Sequence, residues 1–111
     1  MNRSLVSLNL DFNATLGTEG VIALCHGLRT NSTLKKISLK RCNITGRAGG
    51  KAMGEILSFP KSSLSTLDLT GNRLNGDGLH ALCFPGLLQN ISLVTLHLPD
   101  NNVHDTPADK K

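Results

Sequence analysis

The feature that most constrains this chain is a spacing of leucines that recurs four times. The template is L-x-x-L-x-L-x-x-N/C, where x is any residue, and its copies begin at Leu5, Leu34, Leu64 and Leu93. Their first leucines are separated by 29, 30 and 29 residues, and Ile37 is the only apolar substitution at the leucine positions. Self-similarity at a fixed period of this length predicts stacked structural units.

Each copy predicts one strand, and each of the first three predicts a helix after it. Its fourth and sixth residues are apolar and alternate with polar residues, a period of two that indicates a strand with one buried face. Apolar residues at helical spacing follow, and the predicted helices are Gly17–Leu28, Gly46–Leu57 and Gly76–Leu82. One unit of about thirty residues buries too little apolar surface alone, so neighbouring units stack and their strands align in a parallel sheet.

The third and fourth units differ from the first two. The segment from the turn residue to the helix glycine is one residue shorter in the third unit, from Asn72 to Gly78. Pro85 lacks an amide donor and clashes with the preceding turn, so we expect the third helix to end near Cys83 or Phe84. The fourth unit has a strand but no helical pattern. We therefore expect an array over residues 1–103 and a polar, disordered tail over 104–111.

The pattern resembles that of the leucine-rich repeat proteins, and the resemblance covers about residues 5 to 103. Repeats of this length, with a full helix and a closing turn such as Asn31-Ser-Thr-Leu34, are similar to the ribonuclease-inhibitor-like subclass. The resemblance implies an α/β fold, a right-handed solenoid with parallel strands on the concave face and helices on the convex face. With about three and a half repeats and no capping element, we expect a fragment of a longer array, or self-association through the uncapped ends.

The last residue of the template occupies the same turn in every unit. A buried polar side chain there can bond the backbone groups that the turn leaves unpaired. We expect stacked copies to form a structural ladder along the solenoid, made of Asn13, Cys42, Asn72 and Asn101. Cysteine takes this place in the leucine-rich repeat family as well, so Cys42 is an expected member.

Strand residues that alternate with the buried leucines are expected to face solvent on the concave side. The candidate partner-binding residues there are Asn9, Asp11, Phe12, Lys36, Ser38, Lys40, Arg41, Thr66, Asp68, Thr70 and His97. The resemblance implies that this face and the adjacent loops bind proteins. Lys36, Lys40 and Arg41 concentrate positive charge in one unit. They either contact a partner or only keep an exposed strand face hydrated.

Composition narrows the kinds of partner. Aromatic residues make up 3% of the chain, with no Trp or Tyr, so the stacking platforms that bind single-stranded nucleic acid are not expected. The formal charge of +4 favours an acidic partner. No stretch approaches the ~18 apolar residues of a membrane span. Three cysteines with no C-x-x-C pair indicate a reducing, cytoplasmic environment.

No motif for catalysis, metal binding or cofactor binding is complete. Gly50 and Lys51 resemble the end of a phosphate-binding loop, but Ala52 stands where that loop needs a hydroxyl and Thr45 where it needs its first glycine. Cys25-His26 and the pair His80 and Cys83 lie two repeats apart, too far to share one zinc ion. We therefore expect no enzyme activity, no metal and no cofactor.

The sequence predicts a non-enzymatic protein–protein interaction module. One alternative is a fragment of a regulatory array, such as a GTPase-activating protein, a ribonuclease inhibitor or an intracellular immune receptor. The other is a purely structural segment of a cytoskeletal or ciliary assembly. Because a fold does not assign a function by itself, these alternatives stay open at this point.

Overall fold

A computed structural model describes residues 5–60, 62–87, 93 and 95–101. Four short strands alternate with helical segments along the chain. The strands are β1 (Ser7–Asn9), β2 (Lys36–Ser38), β3 (Thr66–Asp68) and β4 (Thr95–His97). The helices are α1 (Gly17–Leu28), α2 (Gly46–Ser58) and α3 (Asn75–Ala81), and a π-type segment, Leu82–Leu87, follows α3. The tail expected to be disordered, 104–111, lies outside the described residues.

The four strands form one parallel sheet in the order β1-β2-β3-β4. The leucine positions stay in register across it, with Leu8, Ile37, Leu67 and Leu96 side by side. Backbone bonds continue past the strands into the turns, as where Leu39 N donates to Asp68 O at 2.9 Å. This is the predicted α/β solenoid, with parallel strands on the concave face and helices on the convex face.

The core lies between the sheet and the helices. Ile37, Leu39, Leu67 and Leu69 of the second and third units are fully buried against helix residues such as Met53. In the first unit, the equivalent leucines of β1 and its turn are only half-buried. The leucine positions of β2 and β3, which have a described unit on each side, are therefore more deeply buried than those of the first unit.

The helices start at a backbone conformation that favours glycine. Gly17 and Gly46 have φ of 63° and 62°, and Asn75 takes the same place in the third unit with φ 56°. Asn75 comes one residue sooner after the turn than the two glycines do, as the shorter segment indicates, and it precedes the predicted start at Gly76. Each of these three residues donates its N–H to a carbonyl of the next unit, at 2.8–3.0 Å.

The third helix ends slightly earlier than predicted. Regular α-helix stops at Ala81, and Phe84 leaves helical conformation with φ −123° and ψ 110° inside the π-type segment. The break falls on the residue before Pro85, where the proline ring disfavours helical dihedrals. Phe84 is consequently held outside the core and is 55% exposed.

Helices α2 and α3 pack through glycine. A Cβ atom on Gly50 would overlap the carbonyl group of Gly78, and a Cβ atom on Gly78 would lie 2.5 Å from the carbonyl oxygen of Gly46. The two helix backbones can lie this close only because these positions carry no side chain. Gly49 and Gly78 are both buried in this region.

Candidate protein-binding surface

The sheet residues that face away from the helices form two rows, fixed by the strand register. One row is Ser7, Lys36, Thr66 and Thr95, and the next is Asn9, Ser38, Asp68 and His97. We call these rows and the turn residues that follow them the strand-side face. Its members differ in exposure: Asn9, Phe12, Lys36, Arg41 and His97 are exposed, whereas Asp11, Lys40, Thr66, Asp68 and Thr70 are half-buried.

Ser38 does not face solvent as expected, because it is only 3% exposed. Its hydroxyl donates to Oδ1 of Asp11 at 2.7 Å, and the same oxygen accepts the backbone N–H of Lys40 at 2.8 Å. The Asp11 carboxylate thus joins the first unit to the second and draws Ser38 inward. The side chain of Ser38 is not available to a partner.

Asp68 makes a similar connection in the third unit. Its Oδ1 accepts the N–H and the hydroxyl of Thr70, at 3.0 and 2.6 Å, and its Oδ2 lies 3.7 Å from Nζ of Lys40. Burial alone would raise the pKa of Asp68, but the Thr70 hydrogen bonds and the positive charge of Lys40 hold it below its ordinary value. The carboxylate is ionised and structurally engaged at neutral pH.

The basic cluster of the second unit is therefore uneven. The charge of Lys40 is offset by Asp68, whereas Lys36 and Arg41 are exposed. Within the described part of the chain, Lys40–Asp68 is the only ion pair, so neither Lys36 nor Arg41 has an acidic partner there. Lys36 and Arg41 are therefore exposed cations that an external group could contact.

The turn after each strand holds its second residue in the left-handed region. Phe12, Arg41, Gly71 and Asp100 occupy this place with φ of 64°, 51°, 76° and 59°. Glycine adopts this conformation without cost, whereas a bulky residue such as Phe rarely does. Phe12 is 69% exposed. The Arg41 side chain covers the next turn, since a Cβ atom on Gly71 would lie 2.7 Å from its Cγ.

Asn72 holds the ladder position in the third unit, where it is buried and uses all four of its hydrogen-bonding sites. Its Oδ1 accepts the N–H groups of Cys42 and Ile44, both at 3.0 Å. Its Nδ2 donates to the carbonyls of Leu39 and Leu69, at 2.8 and 2.9 Å. One side chain thus satisfies backbone groups of two successive units.

The other ladder residues vary with their neighbours. Asn101 is buried and donates to Leu69 O at 2.7 Å, and Cys42 is buried with its Sγ 3.0 Å from Leu10 O. Asn13 is exposed, contrary to the buried position we expected, and donates to carbonyls of its own turn, Leu10 O at 2.7 Å and Asp11 O at 3.2 Å. No described unit lies on the other side of Asn13 to offer it N–H or carbonyl groups.

Two of the three cysteines are buried. Cys25, Cys42 and Cys83 are all free thiols. Burial, with a smaller contribution from Glu55, raises the pKa of Cys25 to about 11, and its Sγ donates to Ala52 O at 3.1 Å. A thiol with such a pKa is a poor nucleophile at neutral pH.

Among the described residues, no group of three or more His, Cys, Asp or Glu side chains could hold a metal ion. None of the helices in the described ranges has the length and apolar character needed to cross a membrane.

Sequence reasoning missed two features of the surface. The Asp11–Ser38 bond joins neighbouring units, and strand alternation carries no signal for it. The second feature is a groove on the helix side between α2 and α3, lined by Arg47, Lys51 and Phe84 among others. Its signal was present, because aligning the helices of successive units places Gly54 where α1 has Cys25.

Comparison with known proteins places this architecture in a family. A model of the leucine-rich repeat matches residues 2–25, 30–53 and 61–83. NACHT, LRR and PYD domains-containing protein 12 of Mus musculus is 40% identical over 83 residues, which are 74% of this chain and 8% of that protein. The ribonuclease inhibitor of Mus musculus is 40% identical over 77 residues, 68% of this chain and 16% of the inhibitor. The chain thus spans less than a fifth of these relatives.

Two solved structures share the fold. The tropomodulin C-terminal domain of Caenorhabditis elegans aligns with a TM-score of 0.75 at 19% identity, covering 90% of this chain and 58% of that domain. Leiomodin-1 Actin-Binding Site 2 aligns with a TM-score of 0.78 at 22% identity, covering 90% of this chain and 56% of the other. At these identities the likeness concerns the fold alone. The repeated match to the family pattern and the stacked strand–helix units together establish that this chain belongs to the leucine-rich repeat family.

Proposed function

We propose that this chain is a non-enzymatic recognition module that binds a protein partner through its strand-side face and the adjacent turns. The observation that carries the proposal is the pair Phe12 and Arg41. They hold the same turn position in successive units, and both are exposed in a left-handed backbone conformation.

This pair has the chemistry of a protein-contact site. Aromatic residues and arginine are enriched in the buried centres of protein interfaces, where a few of them provide most of the binding energy. A residue other than glycine in the left-handed region costs about 1 kcal/mol or more, and such strain is found preferentially at functional sites. The hydrogen bond from Phe12 N to Lys40 O, at 2.7 Å, holds the two turns together, so little ordering would be needed on binding.

The charges around the pair indicate the partner. Lys36 and Arg41 are unpaired within the described residues, whereas the carboxylates of Asp11 and Asp68 are engaged in bonds between and within units. The surface therefore offers a binding partner two cations and an aromatic ring. A partner with acidic groups around an apolar side chain is the best complement.

The test compares two double variants with the parent in pull-downs from cell extract. Phe12→Ser with Arg41→Glu alters the proposed site. Ile22→Ser with Arg29→Glu makes the same chemical change on exposed residues of α1 and its C-terminal end, away from the strand-side face. We expect proteins that the parent and the α1 variant capture to be lost from the Phe12/Arg41 variant. If all three proteins, each shown to be folded by circular dichroism, captured the same set, the strand-side face would not be the binding site.

Exposed apolar residues at the β1 end of the array support a second candidate function. Leu5 and Val6 beside β1 are 36% and 54% exposed, and Leu8 of β1 is only half-buried. Further repeats stacked on this face would bury them, as in a segment of a regulatory array of the immune-receptor or ribonuclease-inhibitor type. Light scattering tests the simplest version, because Val6→Lys would abolish any association of this chain with itself through that end and leave a monomer unchanged.

We also propose a cytoplasmic location. Three thiols, two of them buried, remain unpaired in the fold, which suits a reducing environment. Localisation of the tagged native protein by microscopy would test this assignment.

A further inference from the structure

On the helix side, a groove of about 410 Å³ runs along the contact between α2 and α3. Arg47, Lys51 and Glu55 of α2 line one rim, and His80 and Phe84 line the other. Gly54 and Ala81 form the floor. This groove lies on the opposite layer from the strand-side face, so a ligand here would be additional to the partner proposed above.

The floor of the groove carries little side chain, since Gly54 has none and Ala81 has only a methyl group. A Cβ atom on Gly54 would lie 3.1 Å from the carbonyl oxygens of both Ala81 and Leu82. The equivalent position of α1 is Cys25, whose Sγ fills the space against α2 and lies 3.1 Å from Ala52 O. The two helix contacts are therefore built from the same template, with a cysteine side chain in the first where the second has a glycine.

The rim on α2 is basic at one end. Arg47 and Lys51 are exposed and one helical turn apart, so they present their charges on the same side of the helix. Neither has an acidic partner among the described residues, although Glu55 stands one further turn along α2. An incoming anionic group is thus favoured at the Arg47 end and disfavoured beside Glu55.

The opposite end of the groove carries an exposed aromatic ring. Gly50 faces Gly78 and Gly54 faces Ala81 and Leu82, so α2 and α3 run in the same direction, and Phe84 lies toward the Ser58 end. The Phe84 ring is 55% exposed and rests on His80, with ring centroids 4.9 Å apart. An exposed aromatic ring beside an open groove offers a contact for an apolar side chain.

The length of the groove fits a short extended segment of protein. From Arg47 to Ser58 the helix advances about 16 Å, at about 1.5 Å per residue. An extended chain covers that distance with about five residues, at about 3.3 Å each. A single inorganic anion would use only the Arg47 end and would leave the Phe84 contact unmade.

We propose that the groove between α2 and α3 binds a short extended segment of a partner protein that carries a carboxylate followed by a large apolar side chain. The carboxylate lies between Arg47 and Lys51. The apolar side chain, aromatic or aliphatic, packs on Phe84 over the floor made by Gly54 and Ala81.

The test uses a displayed library of random heptapeptides as the probe and the full chain as bait. Peptides enriched on the parent are counter-selected against Arg47→Glu with Lys51→Glu, and the leading peptide is then synthesised and titrated. The matched control is Lys36→Glu with Arg41→Glu, which makes the same change in net charge on the strand-side face. Phe84→Ala removes the apolar contact without changing charge, and circular dichroism melts verify that every variant folds.

We expect enriched peptides to place Asp or Glu two to four positions before an aromatic or large aliphatic residue. The leading peptide should bind the Arg47/Lys51 variant at least tenfold more weakly and the Phe84 variant at least threefold more weakly. Its affinity for the Lys36/Arg41 control should change less than twofold, whatever the fate of the strand-side proposal. Failure to find a peptide that distinguishes parent from Arg47/Lys51 variant, or loss of binding in the control instead, would overturn the proposal. So would self-association of the parent that the Arg47/Lys51 variant lacks, since the groove would then hold a second copy.

Discussion

Asn13 and Asn72 are the same residue at the same template position, yet they make different contacts. Asn72 is 1% exposed and bonds four backbone groups in two units, whereas Asn13 is exposed and bonds two carbonyls of its own turn. The leucines differ in the same way, since Leu67 is fully buried and Leu8 is half-buried. A repeat residue thus stabilises the array mainly through the unit beside it.

The largest expected effect is on the core leucines. Leu67→Asp places an unpaired carboxylate in a fully buried site, which costs several kcal/mol against a total stability of about 5–15 kcal/mol. We expect this variant to lose its cooperative melt by far-ultraviolet circular dichroism. Leu8→Asp changes the equivalent, half-buried position of the first unit. This variant should retain a cooperative melt, at a lower temperature than the parent. Equal melts for the two variants would show that the first and third units are equally packed.

The next largest expected effect on stability is at the ladder position, where Asn72 and Asn13 are compared. Asn72→Ala removes four hydrogen bonds and leaves buried N–H and carbonyl groups unsatisfied, for which we expect a loss of about 2–4 kcal/mol. Asn13→Ala should cost less than about 1 kcal/mol, because water can replace its bonds. Urea midpoints measure both. A smaller loss for Asn72→Ala than for Asn13→Ala would contradict the ladder.

Two substitutions of glycine by alanine are expected to change stability in opposite directions. Gly50→Ala would push a methyl group into the backbone of α3, an overpacking cost of about 1–3 kcal/mol. A methyl group on Gly27 of α1 would meet no atom of its surroundings within 4 Å, so Gly27→Ala should stabilise the chain by up to about 1 kcal/mol through helix propensity. Thermal melts should therefore move in opposite directions. A shared direction would mean that α2 and α3 are not in close contact.

The smallest expected effect is on the stability of the chain at acidic pH. Because the pKa of Asp68 is lowered by folding, its contribution to stability is present above its ordinary value of 3.8 and is lost as pH falls through the lower folded value. Asp68→Asn keeps an oxygen to accept Thr70 N–H, as Asn9 does for Asp11 N–H at 2.9 Å in the first unit. Stability should depend less steeply on pH below about 4 in this variant. An unchanged slope of stability against pH would show that Asp68 does not contribute to this pH dependence.

Much of the fold could be predicted from the sequence because it depends on local patterns. The observed starts of α1 and α2 at Gly17 and Gly46 are the predicted ones, and the shortened third loop appears as Asn75 in the place of glycine. The sequence also indicated the break before Pro85. These features follow from spacing, turn conformation and proline sterics, none of which needs knowledge of a distant contact.

The surface was less predictable because it depends on bonds between units. Strand alternation placed Ser38 on the open face, but the Asp11 carboxylate of the neighbouring unit draws it inward. The predicted cluster of three cations becomes two once Lys40 meets Asp68. The predicted burial of Asn13 was wrong for the same reason, since no described unit covers it. In the first two cases the deciding group lies about one repeat away in the sequence.

The contact between Gly50 and Gly78 also determines the shape of the opposite surface. Hydrogen bonds hold neighbouring strands about 4.7–4.9 Å apart, whereas helices packed through side chains lie about 8–10 Å apart. The helix layer then follows a longer arc than the sheet, which bends the array. A contact of glycine on glycine shortens the outer arc between the second and third units, so the radius of curvature increases there. The curvature of the sheet is thus controlled by two residues of the helix layer.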